Sequence, residues 1–103
     1  MSLALDPEGF LVNLSDWNES VANTLAESEE LSLTEAHWRV IHAVRSFFSE
    51  FDSSPSMRQL IRYLKSTNDA DLASSIALLK LFPGSPAKRA ARIAGLPKPE
   101  NCL

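Results

Sequence analysis

The chain has 103 residues, of which 45% are hydrophobic, and a formal net charge of −3. This length suits one domain with one core, and a single cysteine excludes an internal disulfide. The longest apolar stretch, residues 76–82, is interrupted by Lys80 and is far shorter than a membrane span. The start of the chain lacks the basic and apolar segments of a secretion signal, so we expect a cytoplasmic protein.

The two halves of the chain differ in charge. Residues 1–52 carry ten acids and two bases, a balance of −8, whereas residues 53–103 carry eight bases and three acids, a balance of +5. The basic half contains the cysteine, which follows Lys88, Arg89, Arg92 and Lys98. Nearby cations favour a thiolate over a thiol, but they suit an acidic partner, RNA or a solvated helix face equally well.

The first twelve residues predict a short β-hairpin. Leu3 and Leu5, then Phe10 and Val12, alternate with other residues on either side of the turn sequence Asp-Pro-Glu-Gly at residues 6–9. Alternation of this kind is typical of strands, and a proline at the first central position with a glycine at the exit is typical of the turn between them.

Five helices are predicted to follow. Pairs with capping-box spacing mark the first two starts, which gives helices over residues 16–27 after Asp16 and 33–51 after Ser32. The second has a broad apolar stripe and is the expected central helix. The third helix is expected to start at Pro55 after a Ser54 cap. The fourth includes Leu72 and ends before Pro83, and the fifth starts at Pro86 and is closed by Gly95.

The end of the chain departs from this helical pattern. Pro97 and Pro99 fix their own φ angles and favour extended conformations in the residues before them. We therefore expect one domain over residues 1–95 and an extended, mobile arm over residues 96–103. The arm carries Cys102, the only cysteine, which is well placed to react with another protein.

Several segments closely resemble the DsrC/TusE family of sulfur-relay proteins. They are FDSSPSMRQL at residues 51–60, Leu81-Phe82-Pro83, and IAGLPKP at residues 93–99 followed by Cys102. The resemblance covers almost the whole chain and implies an α+β, mostly helical fold. In that fold a small N-terminal β-hairpin packs on a bundle of about five helices, and the C-terminal arm is mobile.

The resemblance also implies a function. DsrC proper has a second cysteine eleven residues before the penultimate one, a position held here by Ala91. With one cysteine the chain is similar to the TusE branch, a sulfurtransferase whose Cys102 would accept a persulfide from a TusBCD-like donor. It would pass the sulfur to an MnmA-like thiouridylase that makes 2-thiouridine at the tRNA wobble position, so that tRNA is met indirectly.

Sulfur exchange between thiols needs no cofactor and no metal, and the short apolar stretch predicts no membrane contact. We expect a monomer or weak dimer. Lys98 is an expected activator of the Cys102 thiolate. Six positions differ from the family pattern, which leaves the donor and acceptor open: Arg62, Asp69, Ala73, Ala77, Leu79 and Ser85.

Two other functions stay open. One is a DsrC-like regulatory or adaptor protein that docks through its arm without transferring sulfur. The other is a helix-turn-helix protein in which Arg58, Arg62 and Lys65 face nucleic-acid phosphates.

The remaining candidate residues favour structural roles. His37 and His42 are five residues apart, about 140° around a helix, so they do not face one metal ion. Trp17 and Trp38 have the spacing of packing aromatics, and Asp52 has the position of a helix end.

Overall fold

A computed structural model describes residues 3–100. Within that range the chain forms five α-helices: α1 (Glu19–Ser28), α2 (Glu35–Phe51), α3 (Met57–Ser66), α4 (Ser75–Leu81) and α5 (Pro86–Ile93). Two 3₁₀ turns, Leu14–Asp16 and Ala70–Leu72, precede α1 and α4. None of the helices in residues 3–100 has the length and apolar character needed to cross a lipid bilayer.

The predicted N-terminal β-hairpin is wrong, and the fold is helical rather than α+β. Leu5 and Leu11 make one isolated antiparallel bridge, and no strand forms within residues 3–100. The Asp6 carboxylate accepts hydrogen bonds from the backbone N–H groups of Glu8 and Phe10, both at 2.9 Å. Backbone hydrogen bonds also join Asp6 to Phe10 and Val12 to Ala4, but the pairing amounts to one bridge and does not extend into strands. Phe10 and Leu11 are both buried, which a period-2 strand with one solvated face does not allow.

The starts of α1, α2 and α3 lie two or three residues later than predicted, whereas α5 begins at Pro86 as predicted. Asn18, not Asp16, caps α1, because its side chain accepts a hydrogen bond from the Val21 N–H at 2.9 Å. Thr34, not Ser32, caps α2, and His37 completes a reciprocal capping box. Ser56 and Gln59 form the corresponding box of α3, which leaves Ser54 available for another contact.

His37 also links α2 to the end of α4. Its Nδ1 accepts a hydrogen bond from the Thr34 N–H at 3.1 Å, and its Nε2 donates to the Leu81 carbonyl oxygen at 2.7 Å. The ring packs edge-on against the buried Phe82, with 5.1 Å between ring centroids. Its role is therefore structural, as the sequence indicates.

The central helix is α5 rather than the predicted α2. It packs against α1, α2, α3 and α4. Its buried face is small, because it consists mainly of alanine, and small side chains let the other helices approach closely. The buried residues of α5 are Pro86, Ala87, Ala90, Ala91 and Ile93.

Candidate functional site

The segment that leads toward the cysteine leaves α5 through a glycine turn. The Gly95 N–H donates to the Arg92 carbonyl at 3.1 Å, and the Leu96 N–H donates to the Ala91 carbonyl at 2.9 Å. With Gly95 at φ +72°, these two bonds form a Schellman motif. We call residues 94–99 the elbow. The predicted closing role of Gly95 is confirmed.

Trp17 closes tightly over this turn. A Cβ atom added at Gly95 would lie 2.7 Å from Cγ and 2.8 Å from Cβ of Trp17, so a side chain has no room there. The indole Nε1–H donates to the Ile93 carbonyl at 2.9 Å. Trp17 thus packs and anchors the elbow, in agreement with its predicted structural role.

Arg45 of α2 fixes the elbow from the other side. Its guanidinium donates to the Ala94 carbonyl at 2.7 Å, and its Cζ lies 3.8 Å from the centre of a Trp17 ring. Partial burial lowers the pKa of Arg45 from its ordinary value. The arginine therefore serves as a hydrogen-bond donor to an otherwise unsatisfied helix-end carbonyl and as a cation over an aromatic face.

The rest of the elbow packs on the body of the protein. Leu96 is 3% exposed and Pro99 is fully buried. The Ser54 hydroxyl donates to the Pro97 carbonyl at 2.6 Å, and the Lys98 ammonium lies 3.0 and 3.2 Å from the two Glu8 carboxylate oxygens. The chain is therefore held against the α2–α3 turn and the N-terminal turn as far as Pro99.

Cys102, the predicted nucleophile, lies outside the described residues. The last described residue is Glu100, which is exposed. Two further residues reach at most about 7 Å, so the Cα atom of Cys102 is tethered within about that distance of Glu100. Ala91, at the position of the second family cysteine, is fully buried beneath the elbow.

Four of the bases that precede the cysteine form ion pairs within the protein: Lys88, Arg89, Arg92 and Lys98. The carboxylate of Glu29, at the C-terminal end of α1, accepts a hydrogen bond from the Arg89 guanidinium at 2.7 Å. The same carboxylate lies 3.2 Å from the Arg92 guanidinium. Lys88 lies 3.4 Å from Glu8, which Lys98 also contacts. Hydrogen bonds from Lys98 and then Lys88 hold the pKa of Glu8 below its usual range. Because Lys98 is paired with Glu8, its positive charge is partly neutralised.

The other predicted residues lie apart from the elbow. His42 is exposed, packs at a tilt against the Trp38 ring and lies 3.9 Å from Glu19. Asp52 ends α2 with a backbone in the left-handed region, at φ 57°. No group of three potential metal ligands occurs in the part of the chain that the structure describes. Of the divergent positions, Asp69 pairs with Arg39, Ala73 is buried, Ala77 is half-buried and Leu79 is exposed.

Three residues that support the elbow were not expected from the sequence: Glu8, Arg45 and Ser54. Each contacts a residue between 43 and 90 positions away, a distance over which no local pattern carries information. The only sequence signal is the FDSSPSMRQL segment, which includes Ser54 but does not indicate its partner.

Comparisons with known proteins agree with this architecture. The model of the DsrC-like protein family matches residues 1–103. The solution structure of DsrC from Allochromatium vinosum superposes with a TM-score of 0.87 at 40% identity, covering 98% of this chain and 90% of that one. The crystal structure of the oxidized gamma-subunit of the dissimilatory sulfite reductase (DsrC) from Archaeoglobus fulgidus gives 0.83 at 40% identity, covering 98% and 92%.

The chain therefore belongs to the DsrC/TusE family. Its curated relatives include sulfurtransferase TusE of Sodalis glossinidius, 43% identical over 98% of this chain and 94% of the relative. Sulfurtransferase TusE of Photorhabdus laumondii is 46% identical over 95% and 88%. The protein is a sulfurtransferase with a carrier role in sulfur relay.

Proposed function

We propose that Cys102 is the residue that carries the sulfur. It accepts a persulfide from a TusBCD-like donor and passes the outer sulfur to an MnmA-like thiouridylase, which makes 2-thiouridine at the tRNA wobble position. One observation carries this proposal: the chain is held on the body through Pro99, three residues before its only cysteine. A thiol on so short a tether reaches a partner from a defined place on the surface.

The transfer is an exchange between two sulfur centres. The Cys102 thiolate attacks the outer sulfur of the donor persulfide, the S–S bond of the donor breaks, and the donor cysteine leaves as a thiolate. Cys102 then holds a persulfide, whose outer sulfur is attacked in turn by a thiolate of the acceptor. Each step exchanges one S–S bond for another, so neither needs an oxidant, a metal ion or an organic cofactor.

The fraction of reactive thiolate depends on the surroundings of Cys102 in the complex. An unperturbed cysteine is only a few per cent ionised near neutral pH. Lys98 is engaged by Glu8, so we propose that a partner that competes for Glu8 or supplies its own cations raises the thiolate fraction. Activation would then accompany docking.

Intact-protein mass spectrometry tests the proposal. The protein and its Cys102→Ser variant are incubated with a cysteine desulfurase, cysteine and TusBCD-like relay proteins. We expect the wild type alone to gain one sulfur atom, which a reductant removes. Equal masses for both proteins, while the relay proteins themselves are persulfidated, would contradict the proposal and favour an adaptor that docks without carrying sulfur.

The acceptor step needs a separate measurement. The persulfidated protein is freed of donor and mixed with an MnmA-like thiouridylase, ATP and unmodified tRNA. We expect the outer sulfur to appear in the tRNA as 2-thiouridine, measured by nucleoside mass spectrometry. Retention of sulfur on Cys102 under these conditions would assign the protein to a different acceptor.

A further inference from the structure

Three adjoining hollows mark the face where the described chain ends. Ser53, Ser56 and Glu100 line a small hollow of about 90 Å³ together with Gln59. Gln59 also lines a groove of about 410 Å³ between α2 and α3 and a shallow hollow of about 740 Å³ along α3. The three hollows therefore form one continuous surface around the start of α3, which we call the α3 face.

The groove on this face has an aromatic floor. The Phe47 and Phe51 rings lie 4.6 Å apart, and Tyr63 meets Phe47 edge-on at 5.4 Å. Phe47 is buried, but Phe51 is 54% exposed although it ends a long amphipathic helix. An exposed aromatic ring in a groove is typical of an anchor site for an apolar side chain of a partner.

A basic ridge borders the groove. Arg58, Arg62 and Lys65 follow one another at intervals of four and three residues, so they lie on one side of α3. All three are exposed, and they make no ion pair within residues 3–100. The ridge thus contributes charge to the surface without holding helices together.

The position of the face relative to the cysteine connects it with sulfur transfer. Glu100 lines the smallest hollow, and two residues reach at most about 7 Å beyond it. A partner whose thiol meets Cys102 therefore approaches the protein close to the smallest hollow. The groove and the shallow hollow adjoin that point, because Gln59 lines all three.

We propose that the α3 face docks a protein segment of the sulfur-relay partner that presents an apolar side chain to the aromatic groove and carboxylates to Arg58 and Arg62. Charge complementarity with the ridge selects the carboxylates. A nucleic-acid strand suits the face less well, because its regularly spaced phosphates would also pass Glu50, which accepts the hydroxyl of the groove residue Tyr63 at 3.4 Å. A protein segment can place its carboxylates at the ridge alone. The assignment of the partner rests on the proposed function.

Binding of a purified TusBCD-like complex tests the docking surface independently of sulfur chemistry. All variants are built in a Cys102→Ser background, so that loading of the cysteine plays no part. We expect Arg58→Glu combined with Arg62→Glu, and separately Phe51→Ser, to raise the dissociation constant about tenfold or more. The matched controls are Lys80→Glu for charge and Ile76→Ser for an exposed apolar side chain, because both residues are exposed on α4. Unchanged affinity in the α3 variants would overturn the proposal.

A second pair of measurements separates this inference from the proposed function. In proteins that retain Cys102, inorganic polysulfide loads the thiol without docking, whereas the TusBCD-like complex must dock. We expect the α3 variants to load normally from polysulfide and about tenfold more slowly from the complex. A wild type that neither route loads would defeat the carrier function alone, whereas equal loading of wild type and variants by the complex would defeat the docking surface alone.

An RNA probe decides between the two classes of macromolecule. Fluorescence anisotropy with a labelled anticodon stem-loop is measured for the wild type and for the Arg58→Glu, Arg62→Glu variant. We expect weak binding that differs little between them. Salt-sensitive binding that the variant abolishes, with affinity for the TusBCD-like complex unchanged, would assign the ridge to RNA and overturn the protein-docking proposal.

Discussion

Positive charge has different roles on the α3 face and on the elbow side, by which we mean α5 together with the elbow. On the elbow side Lys88, Lys98, Arg89 and Arg92 are all paired with Glu8 or Glu29, and the residues they join are up to 90 positions apart. On the α3 face Arg58, Arg62 and Lys65 contact no carboxylate within residues 3–100. The basic half of the chain therefore contains two kinds of cation: those that hold the segment before Cys102 and those that face solvent.

The comparison has a consequence for substitutions. Changes on the elbow side should lower stability, because they remove packing or pairs that join distant segments. Changes on the α3 face should leave the stability intact and affect only association. The following substitutions are ordered by their expected effect on the free energy of unfolding.

Gly95→Ala should be the most destabilising. The φ of +72° disfavours a side chain, and the new Cβ would overlap Trp17, so we expect a loss of about 4 kcal/mol from strain and overpacking together. Urea unfolding followed by circular dichroism measures it. Gly84→Ala is the matched control, because Gly84 has φ +90° but no atom within 4 Å of an added Cβ, and should cost about 1–2 kcal/mol. Equal losses would mean that Trp17 moves aside freely.

Glu29→Gln should come next. The carboxylate is 12% exposed and joins the end of α1 to Arg89 and Arg92 of α5. Removing its charge leaves two largely buried guanidinium groups without a carboxylate partner, and we expect a loss of about 2 kcal/mol after allowance for their partial exposure. Urea unfolding measures it. Glu27→Gln is the control, because Glu27 is exposed on the same helix, and a loss as large in the control would exclude the pair as the cause.

Glu8→Gln should have a small effect that depends on pH. The folded pKa of Glu8 lies below its ordinary value of 4.5, so its pairing with Lys98 and Lys88 stabilises the fold above that pH. This contribution is lost as the pH falls through the folded pKa. We expect the melting temperature of the variant to lie below that of the wild type at about pH 7 and to approach it at about pH 3. A constant difference across this range would contradict the assignment.

Arg58→Glu combined with Arg62→Glu should change stability least. Both side chains are exposed and neither joins two elements, so we expect the free energy of unfolding to stay within about 0.5 kcal/mol of the wild type. Urea unfolding of the double variant checks this. A large loss would mean that the ridge holds the fold, and the binding measurements on this variant would then require the Phe51→Ser protein instead.

The helices were predictable from the sequence, whereas their caps and the N-terminal turn were not. Apolar periodicity and proline positions located all five helices, but two candidate caps compete at three starts. Tertiary contacts decide between them: Trp17 must reach Ile93, and the Ser54 hydroxyl is taken by Pro97. The hairpin prediction was wrong because the pairing stops at one bridge, and because Phe10 and Leu11 are both buried where alternation requires one of them to face solvent.

The candidate site was predictable in part for a related reason. Gly95 indicates a turn, and the segment after it carries a family pattern, so the turn that leads toward Cys102 follows from the sequence. The anchors of that path do not, because Arg45 and Glu8 lie 49 and 90 residues from their partners. The central position of α5 could not be predicted from the sequence either, because alanine gives a weak apolar signal although it permits close helix packing.

The contact between Trp17 and Gly95 gives the protein an optical reporter of its own. The indole is held against the glycine, bonded to Ile93 and covered by Arg45, so its emission reports on the packing of the elbow. The chain has two tryptophans, and replacing Trp38 with phenylalanine leaves Trp17 as the sole source of tryptophan fluorescence. Changes in the elbow, which leads toward the cysteine, can then be followed in real time without a label that would itself consume the thiol.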